Sequence, residues 1–166
     1  MAAGWFVDLR KRSLGWDGIA RFQDRKYKRM NTIIKKLDDL PLTKSVMPTN
    51  RGVTFYQRAF ERGADGVVGG WECVDYMTIP AGTQFGVHIH DGSEELYVIL
   101  KGHGVALLDG EEHPVGPGDF LMLRNLGAHG LRNPGPENIE LLCVCVYLGQ
   151  THRLIPVWDA AGDTRE

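Results

Sequence analysis

The feature that most limits how this chain can fold is an alternation, from Val53 onward, of short apolar runs with turn-forming residues. Runs rich in Val, Ile, Leu, Tyr and Phe read as strands near Trp71–Ile79, Glu95–Leu100, Gly104–Leu108, Phe120–Leu123 and Ile139–Leu148. Between them stand Pro80-Ala81-Gly82, Lys101-Gly102, Asp109-Gly110, Gly116-Pro117-Gly118-Asp119 and Asn133-Pro134-Gly135-Pro136. These turn signals at close, fairly regular spacing argue for an antiparallel sandwich or barrel and against a parallel α/β sheet. At 166 residues with a 43% apolar fraction, the chain can fill one core.

The N-terminal part has a different texture. Residues 1–44 carry 11 Lys/Arg against 5 Asp/Glu, a net of +6, whereas residues 45–166 carry 8 against 16, a net of −8. The chain therefore divides into a basic extension (1–44), a β domain (45–150) and a C-terminal tail (151–166). Between Asp17 and Leu37, the residues Ile19, Phe22, Met30, Ile33, Ile34 and Leu37 have spacings that suit one helical face, although Thr32-Ile33-Ile34 equally suits the start of a strand. A basic arm on an acidic body can touch nucleic acid or an acidic partner. No nucleic-acid motif occurs in it and the whole chain is not basic, so the favoured reading is packing on its own body or on a twin subunit. Ile155-Pro156-Val157-Trp158 is apolar enough to dock, for instance across a dimer interface.

Three cysteines (Cys73, Cys143, Cys145), without a Cys-x-x-Cys pair or an apolar leader after Met1–Arg12, argue against a disulfide framework and a thiolate zinc site. No apolar run approaches the ~20 residues a membrane helix needs. The expectation is a cytoplasmic protein that does not enter the membrane.

The chemistry concentrates at Gly82-Thr-Gln-Phe-Gly-Val-His88-Ile-His90-Asp-Gly-Ser-Glu-Glu95-Leu-Tyr97-Val-Ile-Leu-Lys-Gly102. On a strand, His88 and His90 share one face while Ile89 points the other way. Two such imidazoles can converge on one metal ion. A turn at Asp91-Gly92-Ser93 lets the next strand supply a carboxylate. His129 follows Gly118-Asp119 and Asn125-Leu126-Gly127, and a barrel interior can bring it to the same point.

On these residues the chain resembles the cupin superfamily. Gly82, His88, His90, Glu95 and Gly102 match its first motif, and the six residues between Glu95 and Gly102 select Glu95 over Glu94. Gly118, Gly127, His129 and Asn133 follow its second motif, with two departures: Asn125 stands where proline is usual, and only Ala128 separates Gly127 from His129. The resemblance implies a mainly β fold, the double-stranded β-helix or jelly-roll barrel, carrying here a short, partly helical N-terminal extension. It also implies one divalent metal ion held by His88, His90, Glu95 and His129, and a homodimer. Three neutral imidazoles and one carboxylate suit Fe(II), which is favoured, or Mn(II), Ni(II) or Zn(II), with about two open positions for ligands.

The leading expectation is an oxidoreductase of the iron dioxygenase type acting on a small polar metabolite. The alternatives are metal-assisted lyase, decarboxylase or isomerase chemistry, or a small-molecule binding or sensing module. Tyr97 shares the inward face with Glu95 and reads either as a hydrogen-bond donor or acid toward substrate or as core. Arg124 reads as a carboxylate clamp or as a surface ion-pair partner. Ile99, Cys143 and Cys145 read as core. His103, His113 and His152 lie outside the motifs and read as surface residues.

Overall fold

The computed structural model describes residues 33–65, 67, 69–149 and 152–158. Most of the helical face expected over residues 17–37 lies outside them. Ile33–Lys36 has no regular structure, and one 3-10 turn spans Leu37–Asp39.

Eleven strands follow among the described residues. They are β1 (Thr43–Lys44), β2 (Phe55–Glu61), β3 (Trp71–Ile79), β4 (Gln84–Asp91), β5 (Ser93–Lys101), β6 (Gly104–Leu108), β7 (Glu111–Val115), β8 (Phe120–Leu123), β9 (Ala128–Arg132), β10 (Ile139–Tyr147) and β11 (Arg153–Pro156). They form two antiparallel sheets, one ordered β1-β2-β3-β10-β5-β8 and the other β11-β4-β9-β6-β7. The two sheets enclose one core, in which Ile79, Ile99, Leu131, Ile139 and Leu141 are essentially fully buried. The period-2 burial of β5 and β10 explains why Ser93, Glu95, Tyr97 and Ile99 share the inner face with Ile139, Leu141, Cys143 and Cys145. The antiparallel architecture expected from the turn spacing, and the mainly β jelly-roll barrel implied by the resemblance, are the ones observed.

Three strands had little apolar signal. β7 reads Glu-Glu-His-Pro-Val because it is an exposed edge strand, where proline and charge are tolerated. β9 is short and interrupted by Gly130, whose missing side chain lets the Phe85 carbonyl approach: a Cβ there would sit 2.9 Å from that oxygen. β11 was expected only as a docking segment in a tail. It pairs with β4 of its own barrel, placing Leu154 opposite His90 and Pro156 opposite His88.

Candidate metal centre

Alternation on β4 turns His88 and His90 inward together, both nearly fully buried. The chain reverses at Gly92, whose φ of 109° suits glycine. β5 then returns with Glu95, and β9 lies beside β4 with His129 directly opposite His88. The side chains of His88, His90, Glu95 and His129 offer ligand atoms that all lie within 4.8 Å of one another.

Hydrogen bonds fix how these groups present themselves. His88 Nδ1 lies 2.9 Å from the Gly86 carbonyl and His129 Nδ1 3.1 Å from the Gly127 carbonyl. A carbonyl only accepts, so each Nδ1 carries a proton and Nε2 is the nitrogen turned toward the site. Those Nε2 atoms face inward, with His88 Nε2 3.0 Å from His90 Nε2 and His129 Nε2 3.2 Å from Glu95 Oε2. Burial holds the His88 pKa down at about 4 and also lowers that of His90, so both are neutral at pH 7. Burial alone would raise the Glu95 pKa, but the hydrogen bond with His129 outweighs it and holds the group at about 2, leaving a carboxylate. The donor set fits one divalent ion bound by nitrogen and oxygen.

The departure at Asn125 has a structural counterpart. Its Oδ1 accepts from the Gly92 N–H at 2.7 Å, and the neighbouring Leu126 N–H donates to the His90 carbonyl at 2.9 Å. The loop before β9 therefore clamps the turn between His90 and Glu95.

A cavity of about 320 Å³ opens onto these ligands. Tyr97 and Cys143 line it next to Glu95. Tyr97 is 2% exposed and meets the His129 ring edge-on. Burial first, then the Glu95 charge, push its pKa well above the usual phenol value, so it stays a proton-bearing donor. The Cys143 thiol donates to Glu95 Oε1 at 3.6 Å, and burial raises its pKa well above normal as well. Arg124 is exposed just beyond β8, and its carbonyl accepts from the Gly127 N–H. It is not among the residues lining the cavity.

Sequence reasoning missed several cavity residues. Arg58 and Asp75 sit opposite each other on β2 and β3 and form a two-pronged ion pair, both contacts 2.9 Å. The signal was available, because Asp75 occupies an inward position between Cys73 and Met77 where alternation expects an apolar side chain. His152, read as a surface residue, is instead half-buried. It lines the cavity and contacts His90. Its place depends on β11 folding back onto β4, which no local pattern announces.

Fold and site together define a class: a double-stranded β-helix barrel with a buried three-histidine, one-glutamate site fit for one metal ion. Residues 75–145 match the family model described as a cupin domain. An oxalate-binding protein of Thermotoga maritima is 35% identical over 72 residues, which cover 43% of this chain and 60% of that protein. An uncharacterized protein of Methanocaldococcus jannaschii is 35% identical over 74 residues, 45% of this chain and 58% of that one. The chain thus spans about 58–60% of the length of these curated relatives. Among solved structures, a predicted oxalate decarboxylase from Thermotoga maritima superposes with a TM-score of 0.64 at 25% identity, over 70% of this chain and all of that one (100%). A cupin-2 domain protein from Rhodospirillum rubrum superposes with a TM-score of 0.60 over 80% of this chain and 84% of that one; at 20% identity it speaks for the fold alone. Residues 75–145 thus form a cupin domain. No helix among the described residues is long and apolar enough to cross a membrane.

Proposed function

We propose that this cupin is a metal-dependent enzyme that takes a small polar metabolite bearing a carboxylate, with Fe(II) dioxygenase-type oxidation as the leading reaction. The observation that carries this reading is the convergence of Nε2 atoms on the Glu95 carboxylate, at the end of a cavity sized for a small molecule. When bound at His88, His90, Glu95 and His129, a divalent ion supplies chelation of substrate oxygens and, if it is iron, dioxygen activation.

The chain's own residues do the rest. The backbone carbonyls of Gly86 and Gly127 hold two imidazoles in the tautomer that presents Nε2. Tyr97 keeps its proton and donates it as a hydrogen bond to a substrate oxygen in the cavity. Phe85 and Met77 line the same cavity and give it an apolar wall. Arg124 lies at the exposed end of β8, so a clamp on substrate there would act at the surface.

A second reading, turnover without dioxygen or binding alone, is supported by the relative named an oxalate-binding protein. The remaining partner we propose is a second copy of the chain. Three free thiols, Cys73, Cys143 and Cys145, fit a reducing cytoplasm.

The test is metal content by elemental mass spectrometry, followed by oxygen-electrode and carbon dioxide assays with oxalate and other small carboxylates. Iron in near one-to-one ratio with dioxygen consumption is expected. Turnover of the same substrate under argon excludes oxygenation, and binding without turnover of any carboxylate supports the binding reading. Tyr97→Phe should lower kcat by about 10²-fold, and Arg124→Ala should raise KM alone if Arg124 clamps substrate.

A further inference from the structure

His90 differs from the other two histidines in what holds its outer nitrogen. His88 and His129 each donate Nδ1–H to a carbonyl of their own strand or the loop before it. His90 Nδ1 instead faces two side chains, Ser93 Oγ at 3.0 Å and His152 Nε2 at 3.0 Å. The His90 and His152 rings lie 10° from parallel with centroids 5.1 Å apart, a geometry compatible with a nitrogen-to-nitrogen hydrogen bond. Behind His152, its Nδ1 lies 2.5 Å from Glu72 Oε1. Glu72 is fixed in turn, because the Cys145 thiol donates to its Oε2 at 3.2 Å.

The protons in this chain of groups can be assigned by elimination. With His90 Nε2 presented to a metal ion, its single proton is on Nδ1, so His152 Nε2 must accept. His152 then carries its own proton on Nδ1, which donates to the Glu72 carboxylate. Each link has one donor and one acceptor.

The backbone devices that deliver these residues lie outside the histidine motifs. In β3 the register with β10 runs Cys145 to Cys73 and then Val146 to Trp71, so Glu72 is the extra residue of a β-bulge. Bulges re-aim a side chain next to a site. His152 arrives immediately before β11, whose pairing with β4 sets Arg153 opposite Asp91 and Leu154 opposite His90.

We infer that His152 and Glu72 form a carboxylate–histidine relay that orients the ligand His90 and raises its affinity for metal, so both are positioning residues of the metal centre. The inference rests on the metal reading above and extends it to two residues, one from a bulge and one from the C-terminal strand. A neighbouring acceptor that locks a ligand histidine commonly accounts for 10–100-fold in metal affinity.

The experiment is a Co(II) titration of the full chain after chelator treatment, read by the visible absorption of bound Co(II) and by the dissociation constant. His152→Ala is expected to weaken Co(II) by about 10-fold or more, and Glu72→Gln by a smaller factor. His152→Gln, whose amide oxygen can accept from the same Nδ1–H, should recover most of the loss. Because Glu72 acts through His152, the double variant should bind no more weakly than His152→Ala alone. Glu72→Gln leaves β11 untouched and answers the question even if His152→Ala does not fold. Affinity within about twofold of the unmodified protein in Glu72→Gln, or in a folded His152→Ala, overturns the relay while leaving the metal centre standing. A Glu72→Gln effect that adds in full on the His152→Ala background also overturns it. No Co(II) uptake by the unmodified protein overturns the metal reading and the relay with it.

Discussion

Asn133 shows how a single residue of the second motif acts on fold and not on chemistry. It is fully buried, and its Nδ2 donates to the carbonyls of Ile79 at 2.8 Å and Glu137 at 2.7 Å, while its Oδ1 accepts from the Gly135 N–H at 3.0 Å. One amide thereby ties the end of β3 to the loop between β9 and β10. Asn133→Ala leaves two carbonyls and one N–H without these partners, at a cost of about 2–3 kcal/mol. The expected outcome in urea denaturation is a lower midpoint with an unchanged slope, together with unchanged Co(II) affinity, since Asn133 touches no ligand. At this scale the four candidate ligands were legible because i, i+2 histidines on a strand and a matched glutamate after a turn constrain one another. Glu72 and His152 were not. A bulge shifts Glu72 out of the simple alternation, and His152 reaches the site only through a strand pairing about 60 residues distant in sequence, His90 to His152.

Among the elements, β4 carries two of the candidate ligands, and its position depends on the segment before β2. A Cβ at Gly86 would sit 2.2 Å from the Thr49 carbonyl carbon and 2.2 Å from its Oγ1, and Thr49 Oγ1 donates to the Val87 carbonyl. The Gly86 N–H donates to Asn50 Oδ1 at 2.8 Å. Gly86→Ala must therefore push β4 from this segment, and its carbonyl is also the acceptor that fixes the His88 tautomer. The expected cost is above ~2 kcal/mol, with a matching loss of Co(II) affinity. Gly110 is the contrast: a Cβ there meets nothing within 4 Å, but φ is +89°. Gly110→Ala should cost about 1 kcal/mol through backbone strain and leave Co(II) affinity as it was. Thermal melts with and without Co(II) separate the two. Strands with regular alternation, β3, β5, β6, β8 and β10, were readable because burial on one face imposes period 2. The polar edge strand β7 and the glycine-broken β9 were not, because their places are set by neighbours more than by their own residues.

At the level of the whole molecule, the outer face of the six-stranded sheet does not look like a surface made for water. An antiparallel sheet with one solvated face normally alternates apolar inward with polar outward. Here β5 turns Leu96, Val98 and Leu100 outward, β10 turns Val144 and Val146 outward, and β8 adds Phe120 and Met122, which are 70% and 63% exposed. The register places Leu96 between Met122 and Val144, so these side chains form one patch across three strands. Contiguous apolar surface of this kind marks an interface. The occupant already proposed for it is a second copy. β8 is the edge strand of this sheet, so a two-fold axis beside it would set patch against identical patch and cover the unpaired edge in both copies. Leu121 and Leu123 of the same strand face the core, so Phe120 and Met122 can be changed without touching the site. Sedimentation equilibrium at micromolar concentration should give a dimer for the unmodified chain. Phe120→Lys with Met122→Lys should give a folded monomer that binds Co(II) with unchanged affinity. A monomeric unmodified chain across that concentration range would mean that this face meets some other protein. A dimer that survives both lysines would place the contact on another surface.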